Sequence, residues 1–186
     1  MVAASILPVT IHNGKLMFLF GKECDLEQSA PGWSDFGGGV EKGENLFKAA
    51  LREGSEEMIG VLGDHKELGS LIKKNGGTYK LKHNDYHIHI FFLDYDEALP
   101  KYYNKIHRFI WNKLDHKFLY KTRIFEKSEI DWFSVPEVNS HKKEFRHFYQ
   151  EMIDMILGDI ENIEKFIITK SNARSNKLRK TVKNMN

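Results

Sequence analysis

Glu53, Glu56 and Glu57 stand three and four residues apart on a segment, from about Asn45 to Met58, whose apolar spacing predicts a helix. At about 100° per residue the three carboxylates share one face of that helix. Like charges at this spacing oppose one another by a few tenths of a kcal/mol per pair, and their place in the last turns adds the helix dipole's negative end. Both effects have the wrong sign for a purely structural helix, and a divalent cation reverses both. Mg²⁺ takes carboxylate and carbonyl oxygens and keeps water molecules that become nucleophiles. A solvated acidic face is the competing reading of any such trio. Here the surroundings favour a metal. The run Gly37-Gly38-Gly39 lets backbone approach a ligand closely. Glu44 precedes the helix, and Arg52 lies within it, placed to hold carboxylates by charge-assisted hydrogen bonds.

The spacing Gly38, five residues, Glu44, seven residues, Arg52-Glu53, two residues, Glu56-Glu57 resembles the Nudix box, the signature of the Nudix hydrolases. The stretches "LMFLFGKE", "GWSDFGGG" and "EIDWFSVPEV" look like that family's strands before and after the box. The resemblance implies a Nudix-type α/β/α sandwich with a mixed sheet. It also implies hydrolysis of a nucleoside diphosphate linked to another moiety, with Mg²⁺ or Mn²⁺. On the same ground Glu53 and Glu57 are direct metal ligands, Glu56 a ligand directly or through water, and the Gly37 carbonyl a further one. Arg52 orients the acids, Glu44 supports it, and Gly38 and Gly39 lie against the substrate. A general base outside the box is expected in "KTRIFEKSEIDWF", with Glu126 first and Glu129 second, and Glu97 third. Two positions depart from the pattern: Gly54 replaces a hydrophobic residue, and Ile59 stands where a glycine is expected, with Gly60 one step later. Gly54 falls on the buried stripe and so admits a bulky neighbour; the late Gly60 predicts a slightly longer helix. "WSDFGGG" with the late glycine looks like a branch of the family common in large DNA viruses.

The elements that must position these groups follow from periodicity. "ASILPVTI" and "KLMFLFG" read as strands joined at Asn13-Gly14. Phe47, Leu51, Gly54 and Met58, with Ala50 beside them, form the helix's core stripe. "LGSLIKK", the turn "NGG" and "TYKLKH" read as a second hairpin. In "YHIHIFFLDYD" Tyr86, Ile88, Ile90 and Phe92 alternate with His87, His89, Phe91 and Leu93. His87 and His89 thus share a strand face and either reach the substrate or are ordinary polar positions. Trp33, Phe36 and Tyr86 either stack a base or belong to the core. The aromatic-rich segment 97–119 follows no clear period. "EIDWFSVPEV" reads as the last strand, ended by Pro136. From about Lys143 a long amphipathic helix carries Phe145, Phe148, Met152, Ile156, Ile160, Ile163 and Ile167, and either covers the sheet or pairs with a second subunit as a dimer. The expected organisation is a Nudix core over 1–140, that helix over 141–170, and a basic flexible tail over 171–186.

With 186 residues and 41% hydrophobic content the chain has material for one proper core. Cys24 is the only cysteine, so an internal disulfide is excluded and a reducing compartment is expected: the cytoplasm, or the host cytoplasm if the chain is viral. No apolar run is long enough to span a membrane, and "MVAASILPVTI" lacks a basic leader. The net charge of +2 is uneven: Lys165–Asn186 holds seven Lys or Arg and no acid, leaving 2 − 7 = −5 on the rest. That tail either guides a polyanion such as capped RNA or only solubilises the terminus. Three substrate readings therefore stand beside one another: a nucleotide-type small molecule, capped RNA in an mRNA-decapping reaction, and a diphosphoinositol polyphosphate. The non-enzyme alternative is a Nudix-fold nucleotide- or RNA-binding module that has lost catalysis.

Overall fold

The structure is a computed structural model; it describes residues 1–24, 31–122 and 124–183, with side chains as far as Asn176. Strands β1 (Ala3–His12) and β2 (Lys15–Glu23) form the expected hairpin, with Asn13 and Gly14 at φ of 50° and 72°. Two successive left-handed residues give the turn whose twist suits antiparallel strands. β3 (Trp33–Ser34), β4 (Phe36–Gly39), α1 (Leu46–Glu57), α2 (His65–Lys74), β5 (Thr78–His83) and β6 (Tyr86–Phe92) follow. Then come α3 (Ala98–Trp111), α4 (His116–Thr122), β7 (Lys127–Ser134), α5 (Val135–Ser140), α6 (Gln150–Gly158) and α7 (Ile160–Lys183). The sheet runs β3-β2-β1-β6-β5, with β4 also pairing with β1 and β7 with β2. The β1–β6 pair is parallel and the other pairs are antiparallel, so the sheet is mixed.

The two faces are built by alternation. Leu7, Val9, Phe18, Phe20, Ile88 and Ile90 point to one side, where Met152, Ile156, Ile163 and Ile167 of α6 and α7 cover them. Ala4, Ile6, Leu19 and Phe91 point to the other, against Ala50 and Met58 of α1, Leu68 and Ile72 of α2, and Tyr103 of α3. This is the α/β/α sandwich that the resemblance implied. Gly54 is the contact that seats α1: a Cβ there would lie 2.5 Å from Ile6 Cδ1. Its absence lets helix and strand close together, as its place on the stripe predicted.

Several expectations need correction. "LGSLIKK" belongs to a helix, α2, not to a strand. Leu68 and Ile72, four apart, are its buried pair, and Asp64 opens it with a capping box closed by Glu67. Pro136 does not merely end β7; it sits in the first turn of α5, where its missing N–H costs no hydrogen bond. The segment 97–119 is largely helical, with Tyr103 and His107 inward and Tyr102 and Phe109 exposed. The C-terminal helix does not begin at Lys143. Two 3-10 turns at 142–144 and 147–149 come first, and α6 and α7 are separated at Asp159. There the Tyr79 hydroxyl donates to Asp159 Oδ2 at 2.5 Å, and Asn162 Nδ2 to Oδ1 at 2.6 Å. The tail does not leave the helix at residue 171: the backbone of α7 continues to Lys183, and Arg174 pairs with Asp94 at 3.2 Å. Gly60 does not lengthen α1, which stops at Glu57 with Met58 as its cap; Ile59 itself takes the left-handed conformation at φ 49°. No helix among the described residues is long and apolar enough to cross a membrane.

Candidate active site

α1 begins where the Asn45 side chain accepts the Lys48 N–H at 2.9 Å, and packs its Ala49, Ala50 and Met58 side into the core. That orientation turns Arg52 and Glu53 toward the glycine run of β4. Arg52 is the organiser. Its Nε and Nη2 donate to the two oxygens of Glu44 at 3.0 Å each, its Nη1 to Glu53 Oε1 at 2.8 Å, and its Nη2 also to the Gly39 carbonyl at 3.0 Å. Glu56 lies 3.5 Å from the same guanidinium and is 57% exposed. Such forked pairing suits guanidinium geometry, and it holds the Glu44 carboxyl below the usual carboxylate range. Gly38 has no room for a side chain, since a Cβ would lie 2.6 Å from the Glu53 carboxylate. Arg52 therefore ties Glu44, Glu53 and the glycine strand into one hydrogen-bonded unit.

Glu57, expected as a direct metal ligand, is enclosed by the protein. It is 3% exposed, and its Oε2 accepts the Gly37 N–H at 2.8 Å. Its Oε1 faces Lys127 Nζ at 3.3 Å. Lys127 is completely buried; its ammonium also donates to Glu23 and, at 2.9 Å, to Ser34 Oγ. Arg146 Nη1 reaches Glu23 Oε1 at 2.7 Å. Burial raises the Glu57 carboxyl to about 8, partly offset by the Lys127 charge. Burial alone would lower the Lys127 ammonium, but Glu57 and Glu23 outweigh it and hold it up. The Tyr103 hydroxyl, near the Glu57 and Lys127 carbonyls at 2.8 and 3.1 Å, ties the end of α1 to β7.

Glu126 is exposed just before β7, and its charge is among those that raise the Glu57 carboxyl. Glu129 sits within β7, paired across from Lys22, and Glu97 stands at the start of α3. A cleft of about 510 Å³ opens beside Glu56, walled by Ile59, Ile110, Ile124 and Phe125. Trp33 is not at this site. It is buried on the α6–α7 side of the sheet, edge-on to Phe133 at 4.9 Å. Phe36 is core as well, and the Tyr86 hydroxyl donates to Asp35 at 2.5 Å. His87 and His89 lie on the α1 side of the sheet but at the other end of the helix, beside Phe47. Lys127, Glu23, Ser34 and Arg146 went unrecognised in the sequence, because a lysine in a strand ordinarily reads as an exposed position.

The donor chemistry fits a hard divalent cation: Glu53 and Glu57 both touch the glycine strand, and Glu56 shares Arg52 with Glu53. In an antiparallel ladder a residue's N–H and C=O point the same way, so the Gly37 carbonyl faces the side on which its N–H holds Glu57. Among the described residues, however, no three His, Cys, Asp or Glu side chains already surround one point as a metal cage would require. Arg52 and Lys127 occupy part of the carboxylates' capacity, and side-chain rotation would have to release it.

A family model described as the NUDIX domain matches residues 1–155. The chain belongs to the Nudix family. It is a Nudix hydrolase, acting on phosphoric anhydride bonds. Among solved structures it is similar to a bifunctional NMN adenylyltransferase/ADP ribose pyrophosphatase from Francisella tularensis complexed with AMP and a Mn ion. The identity is 15% and the TM-score 0.51, over 85% of this chain and 41% of that one. It also aligns with a C. elegans Ap4A hydrolase at 15% identity and TM-score 0.46, over 86% of this chain and 97% of that one. These likenesses concern the Nudix fold. Among curated proteins the sequence finds no match.

Proposed function

We propose that this Nudix hydrolase cleaves the diphosphate of a nucleoside diphosphate linked to a second moiety, using Mg²⁺ or Mn²⁺ held by Glu53, Glu56, Glu57 and the Gly37 carbonyl. The observation that carries this reading is the double tie between helix and glycine strand: Gly37 N–H to Glu57 on one side, and Arg52 to Glu44, Glu53 and the Gly39 carbonyl on the other. The acids and the backbone oxygen expected to share a cation are thereby held in one frame. When bound, the cation supplies charge neutralisation for the diphosphate and a lowered pKa for water. Arg52 keeps Glu53 turned to the glycine strand, Lys127 fixes Glu57 from behind, and Glu126 accepts the proton of the attacking water. The cleft beside Glu56 receives the substrate.

A second reading, capped RNA as substrate, is favoured by the seven basic residues, unbroken by acid, that end the chain on the extended helix α7. Metal-stripped protein, reloaded with Mg²⁺ or Mn²⁺, is to be assayed against nucleotide sugars, dinucleoside polyphosphates, oxidised triphosphates, capped RNA and diphosphoinositol polyphosphates. Turnover that needs metal and disappears in Glu57→Gln, with thermal unfolding retained, is the expected result. A wild type that binds nucleotide but releases no phosphate from any of these would make the protein a binding module instead. Truncation after Ser171 separates the substrates: it weakens RNA cleavage far more than mononucleotide cleavage if RNA is the target.

A further inference from the structure

α3 carries an apolar stripe that the protein itself does not cover. Tyr102, Ile106 and Phe109 stand at i, i+4 and i+7, within an arc of about 60°. Tyr102 and Phe109 are 60% and 65% exposed, and Ile106 between them is exposed too. Leu114, Phe118 and Tyr120, in the turn and α4 that follow, are exposed as well. Apolar side chains scattered singly over a surface need no explanation, but a stripe of them does.

α3 does not need this stripe to hold its place. Tyr103 and His107, about a third of a turn away, are its buried side. The Tyr103 hydroxyl lies 2.8 Å from the Glu57 carbonyl. The Asn104 amide donates to the Ile130 carbonyl at 3.1 Å and accepts the Ile130 N–H at 2.9 Å. The helix is thus fixed to β7 and to the end of α1 from its inner side, and the stripe is left over.

The charge beside the stripe has one sign. Lys101, Lys105 and Arg108 fall on its flank away from the core, about a quarter of a turn round the helix. Lys113, Lys117 and Lys121 follow in the turn and α4. From Ala98 to Thr122 these six cations face a single acid, Asp115, which is engaged with the Lys117 N–H at 2.7 Å at the start of α4. All six are exposed, and none is ion-paired among the described residues.

We infer that α3 and α4 dock on the surface of an anionic lipid bilayer. The stripe enters the boundary between headgroups and acyl chains, and the lysines and Arg108 stay among the anionic headgroups. A helix of 14 residues is too short to cross a bilayer and is suited to lie in its plane. Ile106 and Leu114 decide against RNA as the occupant. Single strands stack on flat rings, whereas acyl chains accept aliphatic and aromatic side chains alike. A second copy of the chain supplies the same cations again and no anion to meet them, so two-fold pairing concentrates like charge at one interface. Docking of this kind does not depend on the hydrolase reading.

The test is co-sedimentation of the full chain with two kinds of vesicle, one of phosphatidylcholine alone and one of phosphatidylcholine and phosphatidylserine in equal parts. The proteins are the wild type, Tyr102→Ser/Phe109→Ser and Lys101→Gln/Lys105→Gln/Arg108→Gln, each checked by thermal unfolding. The wild type should bind the phosphatidylserine vesicles about tenfold more strongly than the neutral ones, and each variant should lose about tenfold of that binding. Added salt should weaken it. The serine variant decides, because it leaves every charge in place: the basic residues that end the chain could hold the same vesicles without the stripe. Binding that survives the loss of Tyr102 and Phe109 overturns the inference, and so does an absence of vesicle binding by the wild type. In the latter case, single-stranded RNA captured through those two rings would make the face a nucleic-acid platform. A wild-type dimer in light scattering that the serine variant dissolves would make it a subunit interface instead.

Discussion

Replacing Lys127 by Met removes a fully buried ammonium and leaves a side chain of nearly the same length. Glu23 keeps Arg146 at 2.7 Å, but Glu57 keeps only the Gly37 N–H at 2.8 Å. Above about pH 8, where Glu57 is ionised, breaking one partner out of a buried ion pair costs about 3–5 kcal/mol. Because Arg146 still serves Glu23, the lower end applies, about 3 kcal/mol, or a fall in Tm of roughly 6–12 °C for a domain of this size. The pH dependence gives a second reading. Burial holds the Glu57 carboxyl at about 8, above its value of about 4.5 in the unfolded chain. Between those values the folded protein binds more protons, so this group's contribution to stability falls as pH rises and levels off above about 8. Losing Lys127 raises Glu57 further, so in the variant the fall continues to higher pH. Urea titrations from pH 5 to 9 of wild type, Lys127→Met, Glu57→Gln and the double variant would measure both effects. A coupling energy of about 1–3 kcal/mol between the two sites is expected at pH 8–9. Additive variants, or a Lys127→Met protein within about 0.5 kcal/mol of wild type, would refute the account of Lys127 as Glu57's buried counter-charge.

Gly38→Ala should lower metal-dependent turnover about 100-fold with Tm nearly unchanged, because its Cβ displaces the Glu53 carboxylate and leaves the core alone. Gly54→Ala gains up to about 1 kcal/mol of helix propensity but drives a methyl into Ile6, so thermal unfolding should show a net loss of about 1–2 kcal/mol, largely recovered by adding Ile6→Val. His89→Leu should flatten the acid limb of stability: burial holds this imidazole at about 4, below about 6.5 in the unfolded chain, so folding loses up to about 3 kcal/mol as pH falls through that interval. The leucine protein should lack that loss in urea titrations between pH 4 and 7.

The acidic helix and its setting were legible because their signals are local. The stripe from Phe47 to Met58, the spacing of Glu53, Glu56 and Glu57, and the alternation through Ile88 and Ile90 all depend on periodicity within one element. The second hairpin misled because "LGSLIKK" carries apolar residues at 68, 71 and 72; the capping pair Asp64 and Glu67 is what decides for helix. In 97–119, exposed Tyr102 and Phe109 hide the inward pair Tyr103 and His107. The Lys127 cluster was not legible, since Glu23, Glu57, Lys127 and Arg146 come from four separate segments, and only the folded sheet brings them together. Trp33 stayed open between core and base-stacking for a related reason: an aromatic strand residue does not declare its face until its neighbours are paired.

Ser5 and Ile6 are adjacent in β1 and look to opposite faces. Ile6 fits under Gly54 of the acidic helix, while Ser5 abuts Gly37, the residue that anchors Glu57, and donates to Asp35. Helix and glycine strand therefore take their alignment from a single dipeptide. A slip of one residue in that strand exchanges the two faces and dismantles both supports together. Damage to this register should extinguish catalysis abruptly, and no second-site change confined to the helix should bring it back.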